Sequence, residues 1–187
     1  MAKKNLEVES TREGIRQTAS QLFMTGGVHA TSLADIAKAA KLSKGTLYYH
    51  YPTKEYLVLD IAEEHFGRMT EIIFGWIDSL AEGKSAEEAL SALSDALLSD
   101  PDKMRLHFAL MSEALREEGA LRRRIVAKQR EWSVMLEVGA LRMTGPGAAR
   151  FRTYSRMYLA LLDGCALHQL LNGQTDPGAL LKLLTEG

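Results

Sequence analysis

A single cysteine, Cys165, among 187 residues leaves no disulfide to be made within the chain and fits a reducing cytoplasm. No apolar run approaches the length of a membrane span, and the first residues, MAKKNLEVES, lack the apolar core of a secretion signal. Sustained two-residue alternation and clusters of β-branched residues are also missing, which argues against a sheet. Nothing resembles a phosphate loop, a nucleophile elbow, a zinc motif or a carboxylate pair at an exposed break, so no enzyme is implied. His29, His50, His65, His107 and His168 stand at no metal-ligand spacing, and neither a metal nor another cofactor is expected. What is present is 46% hydrophobic and 25% charged, the composition of an ordinary soluble globular protein. Helix formers dominate, and the fold class implied is all-α.

The net charge of −1 hides a division. Residues 1–54 carry eight Lys/Arg against Glu7, Glu9, Glu13 and Asp35, a balance of +4, which leaves −5 for the remainder. A basic head on an acidic body concentrates positive potential where a polyanion docks.

Within that head, residues 32–54 read SLADIAKAAKLSKGTLYYHYPTK. Leu33, Ile36, Ala37 and Ala40 share one helical face, and Leu42, Leu47 and Tyr51 form a second stripe after a break. Ser32 and Asp35 have the spacing of a capping box, and Ser43 caps the second segment. Two helices this short need a backing element, which the helix opening at Ser10 or Thr11 supplies with Ile15, Ala19, Leu22 and Phe23 before Gly26-Gly27 ends it. The arrangement is that of a helix-turn-helix. With the buried positions removed, the second helix presents Lys44, Gly45, Thr46, Tyr48, Tyr49 and His50, with Lys54 beyond. Lys44 suits guanine or phosphate, Thr46 suits thymine or phosphate, and Gly45 lets the backbone approach a duplex. On residue types alone a solvated face is as good a reading as a DNA-reading one.

The order of residues decides. SKGTLYYHYPTKE, with the helix before it, resembles the DNA-binding segment of the tetracycline-repressor (TetR-like) family of bacterial transcriptional regulators, over about residues 10–68. The resemblance implies contacts to bases or phosphates from Ser43, Lys44, Gly45, Thr46, Tyr48, Tyr49, His50 and Lys54, and Thr31 and Ser32 complete the candidate set. Ala34 stands where many members carry a longer polar side chain, so that base contact is expected to be absent. Lys41 stands at the turn position usually held by Gly, which implies a strained left-handed backbone. The family further implies a cytoplasmic homodimeric repressor on a palindromic double-stranded operator and a small-molecule effector; the breaks and periodicities of the chain count about nine helices, the number typical of the family.

The organisation expected is a flexible arm over 1–9, a helix-turn-helix domain over 10–55 (motif about 32–52) and a ligand-binding and dimerisation domain over 56–187. A long helix from Lys54 to about Trp76 joins head to body as a continuous rod. Ser85 with Glu88 and Asp100-Pro101 open further helices. Glu82-Gly83, Gly119 and Gly145-Pro146-Gly147 break the chain, and a last short helix runs from Asp176-Pro177 to Thr185. Soft apolar residues of the body, Phe66, Met69, Met104, Phe108, Met111, Trp132, Met135 and Tyr158, are candidates for a ligand pocket with Trp N–H and Tyr hydroxyl anchors. Aliphatic surface near the C-terminus exceeds one face, and Leu159, Leu162, Ala166, Leu170, Leu180 and Leu184 are the candidate dimer interface. Arg122-Arg123-Arg124 reads as a solvated face and Cys165 as a small buried hydrophobe.

Overall fold

The computed structural model describes residues 2–80, 84–116, 118–144 and 146–173. Among these lie eight α-helices and no strand: α1 (Ala2–Gly26), α2 (Leu33–Ala39), α3 (Lys44–His50), α4 (Lys54–Ser79), α5 (Ala86–Leu98), α6 (Pro101–Ala114), α7 (Ala120–Ala140) and α8 (Pro146–Asn172). The all-α class stands, with eight helices rather than nine among the described residues. The helix expected from Asp176 to Thr185, and the breaks at Glu82-Gly83 and Gly145, lie outside them.

Local signals act as their chemistry dictates. Both capping boxes form, Ser32 with Asp35 and Ser85 with Glu88. The Asp100 carboxylate accepts from the backbone N–H groups of Asp102 (3.0 Å) and Lys103 (3.2 Å) at the start of α6. Gly27, at φ +82°, closes α1 in the left-handed conformation open to glycine. One boundary differs from expectation. Residues 2–9, expected as a flexible arm, are the first turns of α1. They contain neither Gly nor Pro, and lengthening a helix already nucleated at Ser10 avoids the cost of starting one.

The chain divides into two compact units, Met1–His65 with Arg105–Arg124, and Phe66–Met104 with Ile125–Gly187. This is not the division at 55/56 that the sequence implies. The reason is that the first turns of α4 bury Leu57, Val58 and Ile61 within the first unit. The α6–α7 segment joins them there through a His65–His107 hydrogen bond (3.2 Å) and an ion pair between Arg124 and Glu63. The core of the first unit is Ile15, Ala19 and Phe23 of α1, Ile36 of α2, Leu47 of α3, and Tyr51.

The second unit has its own core, in which Phe66, Ile73, Leu90, Leu93, Leu136, Phe151 and Tyr158 are buried. Edge-to-face ring pairs, Phe66 on Trp132 and Phe151 on Tyr158, set its packing. α8 is interrupted at Tyr154 (φ −111°, ψ 15°), which no sequence signal announces. Trp76 donates from its indole N–H to the Ala89 carbonyl at 2.7 Å, and the six-membered part of its ring abuts Gly139.

A Cβ at Gly139 would lie 2.3 Å from that ring, so Gly139→Ala must displace a hydrogen-bonded tryptophan. It is expected to lower unfolding free energy by about 1–3 kcal/mol in urea titrations. Gly75→Ala, with nothing within 4 Å of the added carbon, should instead stabilise by about 0.5–1 kcal/mol.

Candidate nucleic-acid interface

The interface is built outward from a partly buried polar lock. Tyr51, the C-cap of α3, is fully buried, and its hydroxyl donates to the Asp60 carboxylate of α4 at 2.6 Å. Arg12 of α1 donates to the same carboxylate (3.0 Å) and to the Tyr51 oxygen (3.1 Å). Arg16 reaches Asp60 at 3.3 Å while pairing with Glu13 and Glu64. Burial alone would push the Asp60 carboxyl up, yet the hydrogen bonds from Tyr51 and Arg12 outweigh it and hold the group below its ordinary range. Burial and the bond to Asp60 push the Tyr51 phenol up from 10.0 to about 12. Three helices thus meet at one carboxylate, and α3 cannot roll about its axis without breaking them apart.

α2 and α3 are joined by a tight turn whose central residue, Lys41, has φ 55°. The left-handed backbone expected there is present, in a residue that carries a Cβ. The Leu42 N–H donates to the Ala37 carbonyl at 2.9 Å and holds the turn closed. Leu47 is completely buried, so α3 lies with the opposite side to solvent.

That side carries Lys44, Gly45 and Thr46, all exposed, with Tyr48 at 49% and Tyr49 at 75% of full exposure. His50 is half-buried, its ring edge-on to Tyr49 at 5.2 Å. Ser43 accepts from the Thr46 N–H at 3.0 Å, and the two hydroxyls share a bond of 2.8 Å. One hydroxyl proton of that pair is used internally and the other is left for a phosphate or base. At Gly45 an added Cβ would meet only the Ser43 oxygen, at 3.7 Å, so the fold itself does not require glycine there. Lys54 is half-buried, and its ammonium donates to the His29 carbonyl at 3.0 Å, with two protons left over.

Thr31 and Ser32 fit the expected set less well. Thr31 is buried, and its hydroxyl donates to the Gly27 carbonyl at 2.9 Å, so it supports the turn after α1 rather than facing outward. Ser32 is exposed, but its hydroxyl donates to Asp35 at 2.5 Å and its N–H at 3.0 Å, leaving no donor for a phosphate. The charge count also changes meaning. Arg12 and Arg16 are consumed by the lock, a role no local sequence signal reveals, because Asp60 is 44 residues from Arg16. The exposed cations around the turn are Lys38, Lys41 and Lys44.

The candidate pocket residues are divided between the two units. Phe66, Met69, Met104, Trp132, Met135 and Tyr158 belong to the second unit, Phe108 and Met111 to the first. The polar anchors are occupied: the Trp132 N–H donates to Thr70 at 2.9 Å, and the Tyr158 hydroxyl bonds Ser94 at 2.9 Å and donates to the Leu90 carbonyl at 3.0 Å.

Of the candidate dimer residues, Leu162 and Ala166 are buried in the single chain, and α8 packs on α5. Leu159 and Leu170 are half-buried, and Leu180 and Leu184 lie outside the described residues. The outward seam of α8 is instead Met157, Ala160, Gly164, Leu167 and Leu171, all exposed.

Comparison with known proteins places residues 15–61 within the family of bacterial regulatory proteins described as the tetR family. The regulator AcrR of Shigella flexneri is 34% identical over 92 residues, which span 49% of this chain but only 40% of AcrR. The regulator LmrA of Bacillus subtilis is 28% identical over 170 residues, 89% of this chain and 90% of LmrA. The solved structure of Salmonella enterica GusR shares the fold at a TM-score of 0.72 and 23% identity, covering 95% of this chain and 96% of GusR.

The lock gives stability a defined pH dependence. The Asp60 contribution is complete above the ordinary carboxylate range and disappears as pH falls below it; the Tyr51 contribution is complete below 10.0 and is lost as pH rises toward about 12. In urea unfolding across pH, Asp60→Asn should flatten the acid limb and Tyr51→Phe the alkaline limb. Each should cost about 1–3 kcal/mol at neutral pH, because a buried partner is left unsatisfied.

Proposed function

With this chain a TetR-like bacterial transcriptional regulator rather than an enzyme, we propose that it acts as a cytoplasmic homodimeric repressor, released from a palindromic operator by a small, largely apolar ligand. The observation that carries the reading is α3: a helix locked from behind by Tyr51 and Asp60 and facing outward with Lys44, Gly45, Thr46, Tyr48 and Tyr49. Two large aromatics in water are unfavourable for an isolated head and are suited to a groove or a sugar-phosphate wall. The room for a Cβ at Gly45 supports the same reading, since a missing side chain there benefits only something that approaches from outside.

A palindrome requires two copies. The outward seam of α8 supports a dimer, because Met157, Ala160, Gly164, Leu167 and Leu171 follow spacings of three and four residues, as in a helix-pairing stripe. Ala160 and Gly164 at its centre allow close approach, and Gly164 has no neighbour within 4 Å of a built Cβ. In the dimer the two α3 helices would enter successive major grooves about 34–36 Å apart. Release follows if ligand favours another spacing, by no more than its differential affinity for the two states. α4, α6 and α7 each supply residues to both units, so a ligand that reshapes the second unit has three continuous helices through which to act.

Selection from random duplexes by the purified protein should return a palindrome. Against that site Lys44→Ala should cost about 1–3 kcal/mol and relax the base preference, whereas Lys54→Ala should mainly reduce the salt slope by about one. Recovery of only weak, sequence-blind binding would remove the reader assignment. In sedimentation, Leu167→Asp or Leu171→Asp should yield folded monomers with unchanged helicity and lost operator affinity; dimers that persist in both variants would place the interface elsewhere.

A further inference from the structure

The first unit contains a cavity of about 210 Å³ that takes no part in the face of α3. Its floor is apolar: Val58 and Leu59 of α4, Ala114 of α6 and Leu121 of α7. Its rim carries charges of both signs, and they are not equivalent. The Lys54 ammonium donates to the His29 carbonyl at 3.0 Å, and Arg122 pairs with Glu118 at 3.1 Å. The other two rim charges, Glu55 and Glu113, make no ion pair among the described residues. A ligand entering this space therefore meets two carboxylates without counter-ions above an apolar floor, one cation paired with Glu118, and one, Lys54, tied only to a neutral carbonyl, so the rim keeps a net negative charge.

An anion would find Lys54, but would be repelled by both Glu55 and Glu113 and would have to compete for Arg122 with Glu118. A neutral apolar molecule would leave both carboxylates as they are. A small cation with an apolar body answers both halves, removing apolar surface from water while its charge faces the rim. We infer that this cavity is a second small-molecule site, distinct from the apolar residues of the second unit, and that it takes small amphipathic monocations of the aryl- or alkylammonium class. Lys54 borders both the cavity and the DNA-facing set, so an occupant sits beside the hydrogen bond that ties the start of α4 to the α1–α2 turn.

The test is calorimetric titration of the full-length protein with benzyltrimethylammonium, with phenylacetate and benzyl alcohol as the anionic and neutral counterparts. The cation should bind at least about tenfold more tightly than either counterpart, and Glu55→Gln with Glu113→Gln should weaken it by about tenfold or more. Ala114→Phe, which fills the floor, should abolish binding; the double Gln variant changes only the rim and keeps the test valid if that core change unfolds the protein. No binding of the cation, equal binding of phenylacetate, or an affinity unchanged by the double Gln substitution overturns the site. Cation binding that survives both variants belongs to the second unit, which removes this inference and leaves the repressor reading standing.

Discussion

The reading head depends on one carboxylate. Asp60 collects the Tyr51 hydroxyl, Arg12 and Arg16, and through them α1, the end of α3 and α4 are fixed to each other in a partly buried polar cluster. Apolar packing alone would hold α3 against the head but would resist rotation about its axis poorly, because Leu47 is its only completely buried side chain. Directional hydrogen bonds supply what contact area cannot, a defined orientation. A reader whose outward residues must meet base edges to within a fraction of an ångström needs that orientation more than it needs extra stability.

The same cluster explains how a basic head can be selective about where it is basic. Arg12 and Arg16 are neutralised internally, so positive charge available to a polyanion is concentrated at the α2–α3 turn, on Lys38, Lys41 and Lys44. Lys41 holds a left-handed backbone that glycine would adopt without strain, and it brings a charge to the turn that glycine would lack.

The first unit is larger than a three-helix head. Arg105–Arg124 packs with it, through His107 on His65, Arg124 on Glu63 and Arg116 on the His29 ring at 3.3 Å. His29 therefore receives Arg116 at its ring and Lys54 at its carbonyl, which makes the α1–α2 turn a junction for both α4 and the segment after α6. The inferred cation site is lined by these same helices, and one tether, the Lys54 hydrogen bond to His29, borders it.

Sequence alone was enough to determine the all-α class, the two capping boxes and the outward face of α3, because each rests on composition or on spacings of three or four residues; the left-handed Lys41 came from the resemblance to a family that usually holds Gly there. Burial then follows from periodicity, and Lys44 and Tyr49 could be placed outward without knowing their surroundings. Long-range partners were decided by the tertiary structure. Nothing in the neighbourhood of Arg12 announces Asp60, and nothing around Thr31 announces that its hydroxyl turns inward to Gly27. The register of α8 was undecidable for a related reason: with aliphatic residues on more than one face, periodicity names no single inward side. In the folded chain Leu162 and Ala166 are buried, and Met157, Leu167 and Leu171 are left exposed. Which apolar face stays exposed is a property of what the helix packs against, and that is settled by the assembled fold.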